Sequence, residues 1–167
     1  MRSFYDLTSN SDSTLNNLLF LKPKRIGAIL QEADLVSISQ IERALESKEQ
    51  YPHLRLGELL AMHGWVKSET ADFFVQDWSN VLRHKERDPL GCYLQQAALL
   101  DQKEIEFILE EQRKTGIRFG TVAVLQGLIK STTLDFFLSH LFPEELNVSP
   151  FLNMYGHCYP YQLDQDR

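Results

Sequence analysis

This chain is poor in the residues that mark several functional classes. It has 2 cysteines in 167 residues, Cys92 and Cys158. They are too few and too widely spaced for a disulfide framework or a thiolate metal cluster, so a reducing, cytoplasmic setting is expected. Long apolar runs are missing as well. The longest early one, Leu18-Leu19-Phe20-Leu21, is too short for a signal-sequence core or a membrane span, so direct membrane insertion is not expected. Positive charge is the minority sign, 17 Lys and Arg against 23 Asp and Glu, for a formal net charge of −6. That balance excludes nonspecific attraction to DNA, RNA or an anionic membrane, which calls for a basic surface. It leaves room for a small anion held by a few placed arginines.

Catalytic constellations are equally scarce. His53, His63, His84, His140 and His157 are scattered without metal-ligand spacing. The stretch Gly127-Leu-Ile-Lys130-Ser131 ends like a phosphate loop but lacks the leading glycine and the adjacent Gly-Lys that such a loop needs. His157-Cys158 are neighbours in sequence, and adjacent side chains rarely aim at one another. The carboxylates fall mostly on the polar faces of expected helices, where their role is solubility. A non-catalytic protein without a resident cofactor or metal is expected.

What the chain does contain is an internal repeat. Arg55–Trp78 reads RLGELLAMHGWVKSETADFFVQDW, and Arg118–Leu141 reads RFGTVAVLQGLIKSTTLDFFLSHL. Arg55 and Arg118, Gly57 and Gly120, Gly64 and Gly127, and the two Asp-Phe-Phe triplets all match at an offset of 63. Arg25–Lys48 and Pro89–Gln112 match each other at an offset of 64, through Gly27 and Gly91, Ile41 and Ile105, and Leu45 and Leu109. A fixed period means one supersecondary unit used several times, here four copies grouped as a duplicated pair.

Each copy carries apolar residues at i, i+3, i+4 and i+7, the spacing of an amphipathic helix. The expected unit is therefore helix, tight turn, helix, and the expected fold class is all-α. Gly64 and Gly127 stand where a left-handed residue ends the first helix at little steric cost. Asp34 takes that position in the first copy less easily, and Ala98 in the third is poorly suited to it. Ser37 with Gln40 and Asp101 with Glu104 have the spacing of capping boxes, and Ser68 and Ser131 are the expected N-caps of the other two second helices. The expected boundaries are a flexible lead-in over 1–24, modules over 25–78 and 89–141, a solvated linker over 79–88 containing Arg83, Lys85 and Arg87, and an aromatic tail over 142–167. That tail holds Phe151, Tyr155, Tyr159 and Tyr161 and is suited to folding back or to docking on a partner. Leu18–Leu21 would pack on the first module.

One feature asks for more than a helix pattern. Glycine recurs at the third position of every copy, as Gly27, Gly57, Gly91 and Gly120, where it is worse than alanine by about 1 kcal/mol in a helix. Either another element crowds that position, or a ligand approaches the backbone there. Arginine stands two residues before three of these glycines, as Arg25, Arg55 and Arg118, which suits capture of an anion; Pro89 takes that place in the third copy.

The pattern Arg-Leu-Gly-x-x-Leu-x-x-x-Gly, with leucines at the 17th and 21st places and glutamine at the 24th, resembles the motif of MshEN-type domains. These are the N-terminal domains of type II secretion and type IV pilus assembly ATPases. The resemblance covers residues 25–141 as two such domains in tandem, with no ATPase segment among them. It implies a helical module in which two consecutive motifs cup one molecule of cyclic di-GMP. On this resemblance the ligand-binding residues are Arg25, Gly27, Leu30, Arg55, Leu56, Gly57, Leu60, Gly64, Arg118 and Gly120. The sequence departs from the motif at Asp34, Lys48, Ala71, Trp78, Pro89 and Leu141, so no pair is complete, and the first pair, which keeps both arginines, is the better site. The implied function is that of a regulatory adaptor, coupling cyclic di-GMP or a protein partner to an assembly. The competing expectation is a docking or structural subunit whose nucleotide site has decayed.

Overall fold

The computed structural model describes residues 25–84 and 86–143. Residues 1–24, Lys85 and 144–167 lie outside it, and with them the lead-in, the Leu18–Leu21 segment, the tail aromatics and His157-Cys158. Among the described residues the structure is all-α. The elements in chain order are α1 (Ile26–Glu32), α2 (Ile38–Ser47), α3 (Leu56–Met62), α4 (Ser68–Asp72), a π turn (Phe73–Asp77), α5 (Trp78–Arg83), α6 (Leu90–Gln96), α7 (Gln102–Thr115), α8 (Phe119–Leu125) and α9 (Ser131–Leu141).

Every copy ends its first helix in the same way. Asp34, Gly64, Ala98 and Gly127 all adopt positive φ, at 54°, 70°, 52° and 70°. In each copy the next residue donates back to a carbonyl five positions earlier: Leu35 to Leu30, Trp65 to Leu60, Leu99 to Leu94, and Leu128 to Ala123. This is the Schellman arrangement, which satisfies carbonyls left over at a helix end. The acceptor residues Leu30, Leu60, Leu94 and Ala123 are wholly buried. Local hydrogen bonding and core burial thus fix the same corner four times.

The second helices start in two different ways. Ser37 and Asp101 form the expected capping boxes: their side chains accept from the Gln40 and Glu104 amides at 3.3 and 2.8 Å, and their own amides donate back to those side chains at 2.7 Å in both cases. Ser68 and Ser131 do not cap. They are the first helical residues, and the N-cap positions belong to Lys67 and Lys130, which make no side-chain cap bond. Those two lysines point elsewhere, to the turns of other copies.

The expected linker over 79–88 is shorter than the sequence implies. Helix continues through Ser79–Arg83 by way of the π turn, because Phe73, Phe74 and Trp78 are all drawn into the core. Arg87 is not simply solvated; its guanidinium donates to the carbonyls of Val81 and Leu82 near the end of α5. It serves as a side-chain cap for that helix.

The centre of the molecule is aromatic. Trp78 stacks on Phe136 with centroids 5.1 Å apart and meets Phe137 edge-on at 5.5 Å. Phe74 touches both Phe136 and Phe137, at 6.0 and 6.1 Å. The repeated Phe-Phe pairs of copies two and four therefore face each other across the middle. Full burial of each such ring is worth roughly 1.5–3 kcal/mol.

Candidate functional site

The recurrent glycines are answered by packing. A Cβ at Gly27 would meet Leu56 Cδ2 at 3.1 Å, one at Gly57 would meet Ala71 Cβ at 3.0 Å, one at Gly91 would meet Phe119 Cζ at 3.1 Å, and one at Gly120 would meet Leu134 Cδ1 at 2.8 Å. All four are buried. Two contacts join the first helices of a pair and two join helices within a copy, so crowding accounts for glycine at this position throughout.

The remaining residues singled out from sequence separate into two groups. Leu30 and Leu60 lie in the core with no exposed surface, and Leu56 is half-buried over Gly27. Gly64 sits in an exposed turn with nothing within 4 Å of its Cβ position. Arg25, Arg55 and Arg118 occupy the N-cap positions of α1, α3 and α8 with extended backbone, and all three are exposed. The Gly27–Leu56 contact brings the starts of α1 and α3 against each other. Arg25, two residues before Gly27, and Arg55, next to Leu56, thus cap two helix starts that touch. In the second pair Phe119 covers Gly91 in the same manner, but the cap there is Pro89 on one side and Arg118 on the other.

Two departures from the resembled motif have a structural reason. Trp78 and Leu141, which stand in the motif's glutamine place, are 3% and 2% exposed. They belong to the aromatic centre, so neither end of those helices presents a polar hand to solvent at that position.

Sequence reasoning missed a set of residues that tie the two pairs together. Thr70 Oγ1 donates to the Ala97 carbonyl at 2.8 Å, and Thr133 Oγ1 donates to the Ala33 carbonyl at 2.8 Å; both bonds are buried. Lys67 Nζ donates to the Ala98 carbonyl at 2.9 Å, and Lys130 Nζ to the Asp34 carbonyl at 2.9 Å. Copy two thus grips the turn of copy three while copy four grips the turn of copy one, a pseudo-two-fold exchange. The signal is present as the repeated Lys-Ser-x-Thr of KSET and KSTT. At the second of these contacts the Asp34 carboxylate also accepts from Thr132 at 2.6 Å and lies 3.4 Å from Lys130 Nζ. The Thr132 hydrogen bond, followed by the charge of Lys130, holds the Asp34 carboxyl below its usual range.

A second arrangement lies at the end of α2. Ser47, His63 and Trp65 line an open cleft of about 400 Å³ together with Arg43, Glu46 and Gln50. His63 stacks on Trp65 with centroids 4.4 Å apart and planes inclined by 17°, and its Nε2 lies 2.9 Å from Ser47 Oγ. That is the distance of a nucleophile and its base, but the Ser47 hydroxyl donates to the Arg43 carbonyl one turn earlier at 3.0 Å. The Arg43 carbonyl therefore competes with His63 Nε2 for the single Ser47 proton, so the pair is not a committed nucleophile and base.

Among the described residues no group of His, Cys, Asp and Glu is placed to hold a metal ion, and no helix is long and apolar enough to cross a membrane. No protein-family model and no solved structure matches this chain. An uncharacterized protein of Picosynechococcus sp. is 39% identical over 120 residues, which is 72% of this chain and 65% of that protein. The match thus spans just under two-thirds of the length of that relative, and the relative brings no activity with it.

Proposed function

We propose that this chain is a non-catalytic regulatory adaptor of the MshEN type, in which the first pair of hairpins receives cyclic di-GMP and the altered surface is read by a protein partner. The observation that carries this reading is the Gly27–Leu56 contact, which sets Arg25 and Arg55 at the heads of two touching helices, both exposed. Two guanidinium groups on adjacent helix starts suit a ligand with two phosphates and two guanine edges, since arginine donates in a planar fork to either. The second pair offers Arg118 opposite Pro89, half of that equipment. Equilibrium binding of labelled cyclic di-GMP to the whole chain tests the reading. Saturable binding weakened at least about tenfold in Arg55→Ala is the expected result. No binding at high micromolar nucleotide refutes it.

A second reading is favoured by the burial of Trp78 and Leu141. These positions have been absorbed into the core, which suits a nucleotide-independent docking subunit that kept the fold and lost the ligand. Recovery of one specific protein partner at equal yield with and without nucleotide, from wild type and Arg55→Ala alike, is the outcome that separates it.

A further inference from the structure

The two halves of the molecule differ in chemistry at the cleft beside His63. The positions that hold Arg43, Glu46, Ser47, Gln50, His63 and Trp65 in the first pair hold Phe107, Glu110, Glu111, Lys114, Gln126 and Leu128 in the second. The stacked ring pair and the arginine thus occur once in an otherwise duplicated frame. None of the six residues belongs to the Arg25/Arg55 set, so a ligand in this cleft stands or falls independently of the proposed adaptor role.

We infer that this cleft is a purine-base site selective for guanine. The His63–Trp65 stack supplies an aromatic surface beside the opening, and stacking on aromatic side chains is a general source of affinity for nucleobases. Arg43 carries only donors and Glu46 only acceptors, and they lie one helical turn apart on α2, both exposed on the cleft. Guanine presents an acceptor pair, O6 and N7, on one edge and a donor pair, N1–H and the 2-amino group, on the next. Arginine addresses the first and a carboxylate the second. Adenine places an amino donor beside N7, which an arginine cannot accept from. The cleft volume of about 400 Å³ is in the range of small-molecule sites, roughly 300–1,000 Å³.

The test is a fluorescence titration of the whole chain with GMP and with AMP. The chain has 2 tryptophans, and Trp78 is buried at the centre, so quenching by a bound base reports on Trp65. The inference expects saturable quenching by GMP, at least fivefold weaker apparent affinity for AMP, and loss of that preference in Arg43→Gln. His63→Gln and Trp65→Leu install the residues that the second pair already carries at these positions, so the fold should accept them; calorimetry should show GMP binding lost in both. Arg55→Ala should retain it. Absence of quenching up to millimolar GMP, equal quenching by the two nucleotides, or GMP binding that survives Trp65→Leu and disappears in Arg55→Ala overturns the assignment.

Discussion

Thr70 and Thr133, 63 positions apart in sequence, make the same buried 2.8 Å hydrogen bond in opposite directions across one interface, to Ala97 and to Ala33. The duplication is therefore not a string of independent units. Each half carries a donor set on its second copy and an acceptor turn on its first, and the halves exchange them.

That exchange gives a paired stability prediction. Replacing either threonine by valine keeps the shape and leaves a buried carbonyl without its partner, at a cost of about 1–3 kcal/mol. Thr70→Val and Thr133→Val should each lower the midpoint of denaturant unfolding, with unchanged slope, and by amounts within about 1 kcal/mol of each other. A large effect of one and none of the other would show that the two contacts are not equivalent.

The four positive-φ turns respond differently to glycine. Ala98 holds φ 52° with its side chain making no polar bond, so Ala98→Gly should relieve up to about 1 kcal/mol of strain and raise the melting temperature. Asp34→Gly relieves similar strain but discards the Thr132 and Lys130 contacts, so it should be neutral or destabilising. Gly64→Ala and Gly127→Ala should each lose about 1 kcal/mol for the opposite reason. Thermal melting of the four variants checks the order.

Crowding at the third-position glycines also makes a ranked prediction. Alanine gains helix propensity of about 1 kcal/mol at any of them. At Gly27 the obstacle is the end of a leucine side chain 3.1 Å away, which can turn aside; at Gly57 it is the Cβ of Ala71 at 3.0 Å, which cannot move without its helix. Overpacking of that kind costs typically about 1–3 kcal/mol. Gly57→Ala should therefore destabilise clearly, whereas Gly27→Ala should be close to neutral.

Acid should loosen the contact between the fourth copy and the first. The Asp34 carboxyl lies below its ordinary value of 3.8, chiefly through Thr132 and then Lys130. A folded-state value below the unfolded one stabilises at pH above the unfolded value, and the stabilisation disappears as pH falls through the folded one. Melting curves of wild type and Asp34→Asn should differ near neutral pH and converge as pH falls below 3.8 and the carboxyl is protonated. A difference that persists unchanged at low pH would remove Asp34 from this role.

Much of the fold is legible in the sequence, for reasons that are local. The Gly64 and Gly127 turns, the Ser37–Gln40 and Asp101–Glu104 capping boxes, and the heptad-like apolar stripes each act within a few residues. The differences arise from contacts made at long range. Ser68 and Ser131 look like N-caps by composition, yet the helices begin one residue earlier because Lys67 and Lys130 reach into other copies. The linker looks solvated by its charges alone, which carry no sign of the pull of Trp78 on the helix before it. Ala98 looks unsuited to a left-handed turn, and it adopts one because its carbonyl and that of Ala97 are held by Lys67 and Thr70.

The candidate site is less legible. A motif that serves both packing and ligand contact does not say which duty a residue performs. Gly27, Leu30, Gly57, Leu60 and Gly120 are occupied with packing, and only the arginines of the motif put charge on the surface. The His63–Trp65 pair carries no sequence signal, since its meaning depends on Ser47 and Arg43 arriving from the previous copy.

On the proposed reading, a symmetric frame carries ligand chemistry asymmetrically, with Arg25 and Arg55 as the competent pair. Calorimetric titration of the whole chain with cyclic di-GMP decides the matter. With the His63 cleft removed by Trp65→Leu, one site per chain is expected, lost in Arg25→Ala and Arg55→Ala and kept in Arg118→Ala. Two equivalent sites, no heat at all, or a loss in Arg118→Ala as large as in Arg55→Ala would contradict it.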